Sequence, residues 1–181
     1  MPGFTIHIAI AKEYAKKHKK KIINEEEFVE GTISPDYISI INPNIDKDQT
    51  HYGIWGKGFS IINIKDFLND PKVDLKKDYW KGYYLHLIVD HYFYNVRFKK
   101  ETEEERKNGD GFYHDYDCLN STLIDKYKIN KIEKIKKYMN CKNDKTKYLN
   151  IEKVIEFIEE ISNINLDEMK ILLWLKFPDF A

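Results

Sequence analysis

The chain has 181 residues, enough for one domain with a sizeable core, and balances 30 Lys plus Arg against 30 Asp plus Glu. That balance argues against a dominant basic face for nucleic acid, though it allows a local basic patch; the lysine run at 17–21 is such a patch and reads as a solvated helix end. Cys118 and Cys141 are too few for a disulfide scaffold and lack metal-ligand spacing. No apolar run approaches the roughly 20 residues of a membrane span. The N-terminal apolar stretch precedes the basic one, the reverse of a secretory signal, so the expectation is a soluble, cytoplasmic protein.

Taken in chain order, the spacing of apolar residues is mostly helical. Phe4, Ile8, Ala11, Tyr14 and Ala15 make one face of a first helix that fades into lysines. Asn24 with Glu27 three residues later resembles a capping box, with Gly31 as the stop of a short helix and Ser34-Pro35-Asp36 as a turn. "YISII", 37–41, is the one strand candidate. Residues 40–58, with a proline, two asparagines and three glycines, read as a long loop, of the kind that is functional or disordered in compact domains. A helix is predicted for Phe59 to Asn69. The strongest element is "DYWKGYYLHLIVDHYFYNVRF", 78–98, apolar or aromatic on nearly every face and therefore a central buried helix. Glu101 to Asp110 reads as a charged loop. "DYDCLNSTLIDKY", "NKIEKIKKYM", "NIEKVIEFIEEI" and "LDEMKILLWLKF" follow as amphipathic helices, with Met169, Leu172, Leu173 and Leu175 as core. The fold class is all-α, a single domain of about seven helices.

His86 and Asp90 lie four apart on the central helix and therefore on one face. So apolar a helix should not bury an imidazole and a carboxylate unless something satisfies them. They can bond to each other, Asp90 can meet a lysine from a neighbouring helix, or both can ligate a metal. His7 is an imidazole inside the apolar run "FTIHIAIA", where a satisfied core histidine is the plainer alternative. Asp36 can be a helix cap or turn residue, and His51, in "THYG", can be simply exposed. Together they are three histidines and two carboxylates from separated segments, a mix suited to zinc, manganese or iron. Five ligands exceed one tetrahedral site, which favours two ions sharing a bridging carboxylate.

The order "IHIAIA", "GTISPD", "THYG" and "YYLHLIVDHYFY" resembles the zinc-dependent phospholipase C family, related to single-strand-specific zinc nucleases. The resemblance covers about the first half of the chain. It implies an all-α fold, an N-terminal-helix His, an Asp after a proline-containing turn, a loop His and a His-x-x-x-Asp helix, met here by His7, Asp36, His51, His86 and Asp90. It also implies that Asp90 bridges two ions, with His7 on one and Asp36, His51 and His86 on the other. The family's mature N-terminal Trp ligand and its later His, His and Glu have no counterpart in these motifs.

Further along, "YHDYD", 113–117, offers His114 or Asp115 as an extra ligand or proton donor. The structural alternatives are Asp117 as a helix cap and His114 as an exposed side chain. His91 points about 100° away from Asp90 and reads as a packing or supporting residue. His18, in the lysine run, is expected in solvent, and Gly53-x-x-Gly56-x-Gly58 lacks the spacing of a phosphate loop. The expected function is a metal-dependent hydrolase of a small phosphoester, with zinc most favoured and Asp36 and His114 as catalytic candidates. The alternatives are an HD-type phosphohydrolase, which needs an adjacent His-Asp pair such as His114-Asp115, and a non-enzymatic helical protein with a structural metal site.

Overall fold

The computed structural model describes residues 3–54, 58–109, 111–130 and 132–168, with the side chains of 54 and 58–61 outside that description. Met169, Leu172, Leu173, Leu175 and most of the last predicted helix therefore lie outside the described residues, as does Gly56. The elements are α1 (Phe4–Lys17), α2 (Glu25–Ile41), α3 (Lys47–Thr50), β1 (Gly53–Ile54), β2 (Gly58–Ile62), α4 (Ile64–Asn69), α5 (Asp78–Tyr92), α6 (Lys99–Asn108), α7 (Tyr113–Tyr127) and α8 (Ile151–Ser162). One π-helical turn, Phe93–Arg97, continues α5, and a 3₁₀ turn spans Glu133–Tyr138. The small antiparallel hairpin β1–β2 is an accessory to an all-α fold.

The expected first helix and central helix are both present, and both are more enclosed than a surface amphipathic helix. In α1 every residue from Phe4 to Ala11 is buried, and in α5 every residue from Gly82 to His91. The helix α1 packs on α2, α7 and α8, while α2 and α5 form the most extensive helix pair.

That pair explains the largest departure from the sequence reading. Gly31 does not stop a helix, residues 34–36 are not a turn, and "YISII" is not a strand, because α2 runs unbroken from Glu25 to Ile41. Asn24 caps it as expected, its side chain accepting from Glu27 N–H at 3.1 Å. Glycine at position 31 serves close approach instead. A Cβ there would lie 1.9 Å from the Tyr79 carbonyl oxygen, and a Cβ at Gly82 would lie 2.0 Å from that of Phe28. The two backbones thus touch where any side chain would separate them. Pro35 lies buried inside α2, a helix that packs extensively against α5.

Three further segments differ. Residues 40–58 are not one long loop, since α3 and β1 fall within them. The predicted helix from Phe59 is β2 as far as Ile62 and helical only from Ile64, where Asn63 accepts from Asp66 N–H. The charged stretch after Glu101 is α6, not a loop. Its Lys, Glu and Arg are good helix formers, and Gly109 ends it with φ 70°.

Candidate metal centre

The ladder that begins at the Gly82 contact leads to the site. On α5, Gly82, His86 and Asp90 recur every four residues; on α2, Phe28, Thr32 and Asp36 do the same. Gly82 lies against the Phe28 carbonyl, and one turn on His86 Nδ1 lies 2.7 Å from the Thr32 carbonyl oxygen. Another turn on, Asp36 and Asp90 flank His86, with carboxylate oxygens of each 3.8 Å from its Nε2. From α1, the His7 ring stacks on His86 with centroids 4.0 Å apart, and its Nε2 lies 3.2 Å from Asp90 Oδ1.

His51 arrives from the far side, and a local device delivers it. Asp46 and Gln49 form a capping box for α3, and His51 is the residue that ends it. Its Nδ1 is 2.9 Å from the Lys47 carbonyl oxygen and its Nε2 is 3.0 Å from Asp36 Oδ1. The next residue, Tyr52, adopts φ 50°, a left-handed conformation that is strained for a tyrosine. Its hydroxyl donates to Asp70 at 2.7 Å, and the Tyr83 hydroxyl donates to the Thr50 carbonyl. His51 is therefore wholly buried and not exposed.

All five sequence candidates, His7, Asp36, His51, His86 and Asp90, meet in one place with no measurable exposure. They form two overlapping groups, His7–His86–Asp90 and Asp36–His51–His86, each with ligand atoms within 4.8 Å of one another. A tetrahedral ion with bonds of roughly 2.0–2.2 Å holds its ligand atoms roughly 3.3–3.6 Å apart. In the second group the separations are 3.0 Å (Asp36–His51), 3.1 Å (His51–His86) and 3.8 Å (Asp36–His86).

The protonation pattern suits a cation. A carbonyl oxygen only accepts, so Nδ1 of His86 carries the proton that Thr32 receives, whereas Nδ1 of His51 lies 2.9 Å from both the Lys47 carbonyl oxygen and the Thr50 hydroxyl, an acceptor and a group that can donate to it. With its ring neutral, His86 then presents the Nε2 lone pair toward His51 Nε2 across 3.1 Å. Either a proton on His51 Nε2 or a metal ion meets that lone pair. Burial pushes His86 down to about 3, with the charge of His7 adding to the effect, so His86 is neutral near pH 7. For Asp36 and Asp90 burial is also the largest influence and opposes ionisation. His86, with His51 and Lys47 for Asp36 and with His7 for Asp90, nonetheless holds both below the usual carboxylate range. Asp36 Oδ2, both oxygens of Asp90 and Nδ1 of His7 make no well-formed hydrogen bond, though all are buried. The donor set fits a divalent ion, and the cluster could hold one.

Two residues near the centre have no signal in the apolar pattern. Lys47 Nζ lies 3.5 Å from Asp36 Oδ1, at the edge of solvent. Tyr116, on α7, buries a hydroxyl that has no hydrogen-bond partner among the described residues. Burial holds its phenol well above its usual pKa, with Asp90 and then Asp36 as the charges that act on it most. Tyr116 belongs to "YHDYD", whose other members lie elsewhere. His114, two residues and about 200° away on α7, is part-exposed with Nε2 3.1 Å from the Lys145 carbonyl oxygen. Asp115 is buried and accepts from the backbone N–H groups of Lys147, Tyr148 and Leu149, each at 2.7 Å. Asp117 is not a cap, because α7 begins at Tyr113; it pairs with Lys142 at 3.2 Å. His91 is buried, and His18 is half-buried rather than in solvent, stacked on Tyr14 at 4.1 Å.

No protein-family model, no curated protein and no solved structure matches this chain. Among the described residues, no helix is long and apolar enough to cross a membrane.

Proposed function

We propose that the chain is a metal-dependent hydrolase of a small phosphoester. The observation that carries the reading is the pair of facing Nε2 atoms, 3.1 Å apart, beside two buried carboxylates, of which Asp36 Oδ2 and both oxygens of Asp90 make no well-formed hydrogen bond among the described residues. A purely structural polar core would satisfy those atoms within the protein. Zinc is the favoured ion and manganese or iron the alternatives, since imidazole and carboxylate suit all three. Two ions are favoured over one, because the Asp90 oxygens face opposite ways, Oδ1 to His7 and Oδ2 to His51 and His86. In this arrangement His7 would hold one ion, Asp36, His51 and His86 the other, and Asp90 would contribute to both. When bound, such ions activate water for attack and stabilise charge on phosphoryl oxygens.

The residues themselves have separate tasks. Thr32 fixes the His86 tautomer through its carbonyl, keeping the Nε2 lone pair directed inward, and the Lys47 carbonyl and Thr50 hydroxyl hold the His51 ring at Nδ1. Asp36, with one oxygen free of hydrogen bonds, orients the attacking water and can take its proton. The resemblance to the zinc-dependent phospholipase C family agrees with this reading and rests on motif order alone. The HD-type alternative is disfavoured, because the Asp115 carboxylate of its adjacent His-Asp pair is occupied by three backbone N–H groups. A structural metal site is the second reading, favoured by the complete burial of all five ligands.

Elemental analysis of the purified protein, followed by a panel of phosphodiesters and phosphomonoesters with and without chelator, tests the proposal. Chelator-sensitive turnover on either class is expected. Full metal occupancy without turnover on any member would assign the site to structure. His114→Ala addresses the remaining sequence expectation. Lower turnover at unchanged metal content makes His114 a proton donor, and unchanged kinetics leaves it to its Lys145 contact.

A further inference from the structure

Complete burial raises the question of how a substrate reaches the centre, and one pocket answers it. It has a volume of about 340 Å³ and is lined by Gly3, Phe4, Ile40, Tyr113, Tyr116 and Tyr138, among others. Three elements each place a lining residue beside the centre. Gly3 precedes His7 by four residues at the start of α1, and Ile40 follows Asp36 by four on α2, so each lies one helical turn from a ligand on the same face. On α7, Tyr116 both lines the pocket and lies where Asp90 and Asp36 act on its hydroxyl. The pocket therefore lies one helical turn from His7 on α1 and from Asp36 on α2, with the Tyr116 ring in its wall. That ring packs on Gly3, where a Cβ would come within 3.0 Å of it.

The pocket walls are the rings of Phe4 and Tyr138, tilted with centroids 5.6 Å apart, the exposed side chains of Tyr113 and Ile40, and the polar Asp117, Lys137 and Asn140. The Tyr116 hydroxyl is buried and makes no hydrogen bond among the described residues. A buried donor without a partner suits an acceptor that a ligand brings to it. At the small end of the roughly 300–1,000 Å³ typical of small-molecule sites, the pocket suits a group the size of one aromatic ring. It does not suit a pair of acyl chains.

We propose that this pocket is the leaving-group subsite of the phosphoester hydrolase inferred above, taking an aromatic or compact apolar ester group. In it, the Tyr116 hydroxyl donates a hydrogen bond to a phosphoryl oxygen at the boundary with the metal centre. The inference rests on the phosphoester reading, and the hydroxyl donates without transferring its proton. Edge and face contacts from Phe4, Tyr113 and Tyr138 select the ring, while Ile40 sets the depth of the subsite.

The test uses the full, metal-loaded chain and calorimetric titration with methylphosphonate and phenylphosphonate, which share a head group and differ in the apolar part. Phenylphosphonate is expected to bind at least tenfold more tightly. Ile40→Trp, which fills the subsite from its rim, should bring that ratio close to one. Tyr116→Phe should weaken both phosphonates by a similar factor, about five- to tenfold, with metal content unchanged by elemental analysis. Equal affinity of the wild-type protein for the two phosphonates overturns the subsite and leaves the phosphoester reading standing. A preference untouched by Ile40→Trp, or phosphonate affinities untouched by Tyr116→Phe, also overturns the proposal. Metal-loaded protein that binds neither phosphonate removes the phosphoester reading along with it.

Discussion

Asp90 and Asp115 are both buried carboxylates on helices of the same domain, yet their surroundings are opposite. Asp115 accepts three backbone N–H groups from 147–149 and so ties the segment entering α8 to α7. Asp78, at the start of α5, is similar, with bonds from Ile23 N–H, Asn24 N–H and the Lys81 ammonium. Asp90 has no well-formed hydrogen bond to either oxygen and faces three imidazoles. Burial is common to all three carboxylates, so burial does not mark the site. What marks it is that Asp90 meets imidazoles in place of backbone N–H or ammonium donors, an arrangement that could hold a cation.

The comparison breaks most visibly under paired truncation. Asp90→Ala should lower metal affinity by at least about 100-fold, read as loss of metal on gel filtration. Asp115→Ala should keep wild-type metal content and lower stability by about 3 kcal/mol in urea unfolding, because three backbone donors lose a charged acceptor. Metal retained by Asp90→Ala would erase the distinction.

Acid should separate the two regions next. His86 titrates at about 3 in the folded protein against an ordinary value of 6.5, so between those limits the unfolded chain binds more protons. Stability of the chelator-treated protein is therefore full above about pH 6.5 and falls as the pH is lowered toward 3. Asp36 and Asp90, both depressed from 3.8, deepen the loss at more acidic pH. A urea midpoint that does not move between pH 7 and 4 would mean that His86 is not held neutral. Bound metal should leave in the same direction, since its ligands must be deprotonated.

The smallest effect should be local. His51 ties α3 to the helical body through Asp36, and a metal would strengthen that tie. Chelation should speed proteolysis between Asn42 and Tyr52 by a few-fold before α5 becomes sensitive, and His51→Ala should reproduce this with metal present. Cleavage at the wild-type rate in both cases would show that Asp46, Gln49 and the Tyr83–Thr50 bond hold the segment without help from the centre.

Much of the centre was legible because its members are out of place in their local patterns. An imidazole in "FTIHIAIA" and a His-x-x-x-Asp pair on a helix apolar all round need a reason that the helix itself does not provide. Tyr116 was not legible, because a tyrosine among 13 is an ordinary core residue until its hydroxyl is seen to lack a partner. The same motif drew attention to His114 and Asp115, whose contacts in the structure are with the segment 144–149. The helix α6 was missed for the opposite reason, since it buries only Thr102 and so carries no apolar stripe.

By itself the sequence determined the all-α class, the central position of α5 and the identity of five converging polar residues, because periodicity and misplaced polarity are local properties. Only the tertiary structure decided that Gly31 and Pro35 lie inside one helix. Glycine has two opposite uses, ending a helix or letting two backbones touch, and the choice depends on Tyr79 and Phe28 in a partner that sequence distance conceals. It likewise decided which buried carboxylates meet donors and which meet imidazoles, since hydrogen-bond satisfaction depends on the segments that pack together.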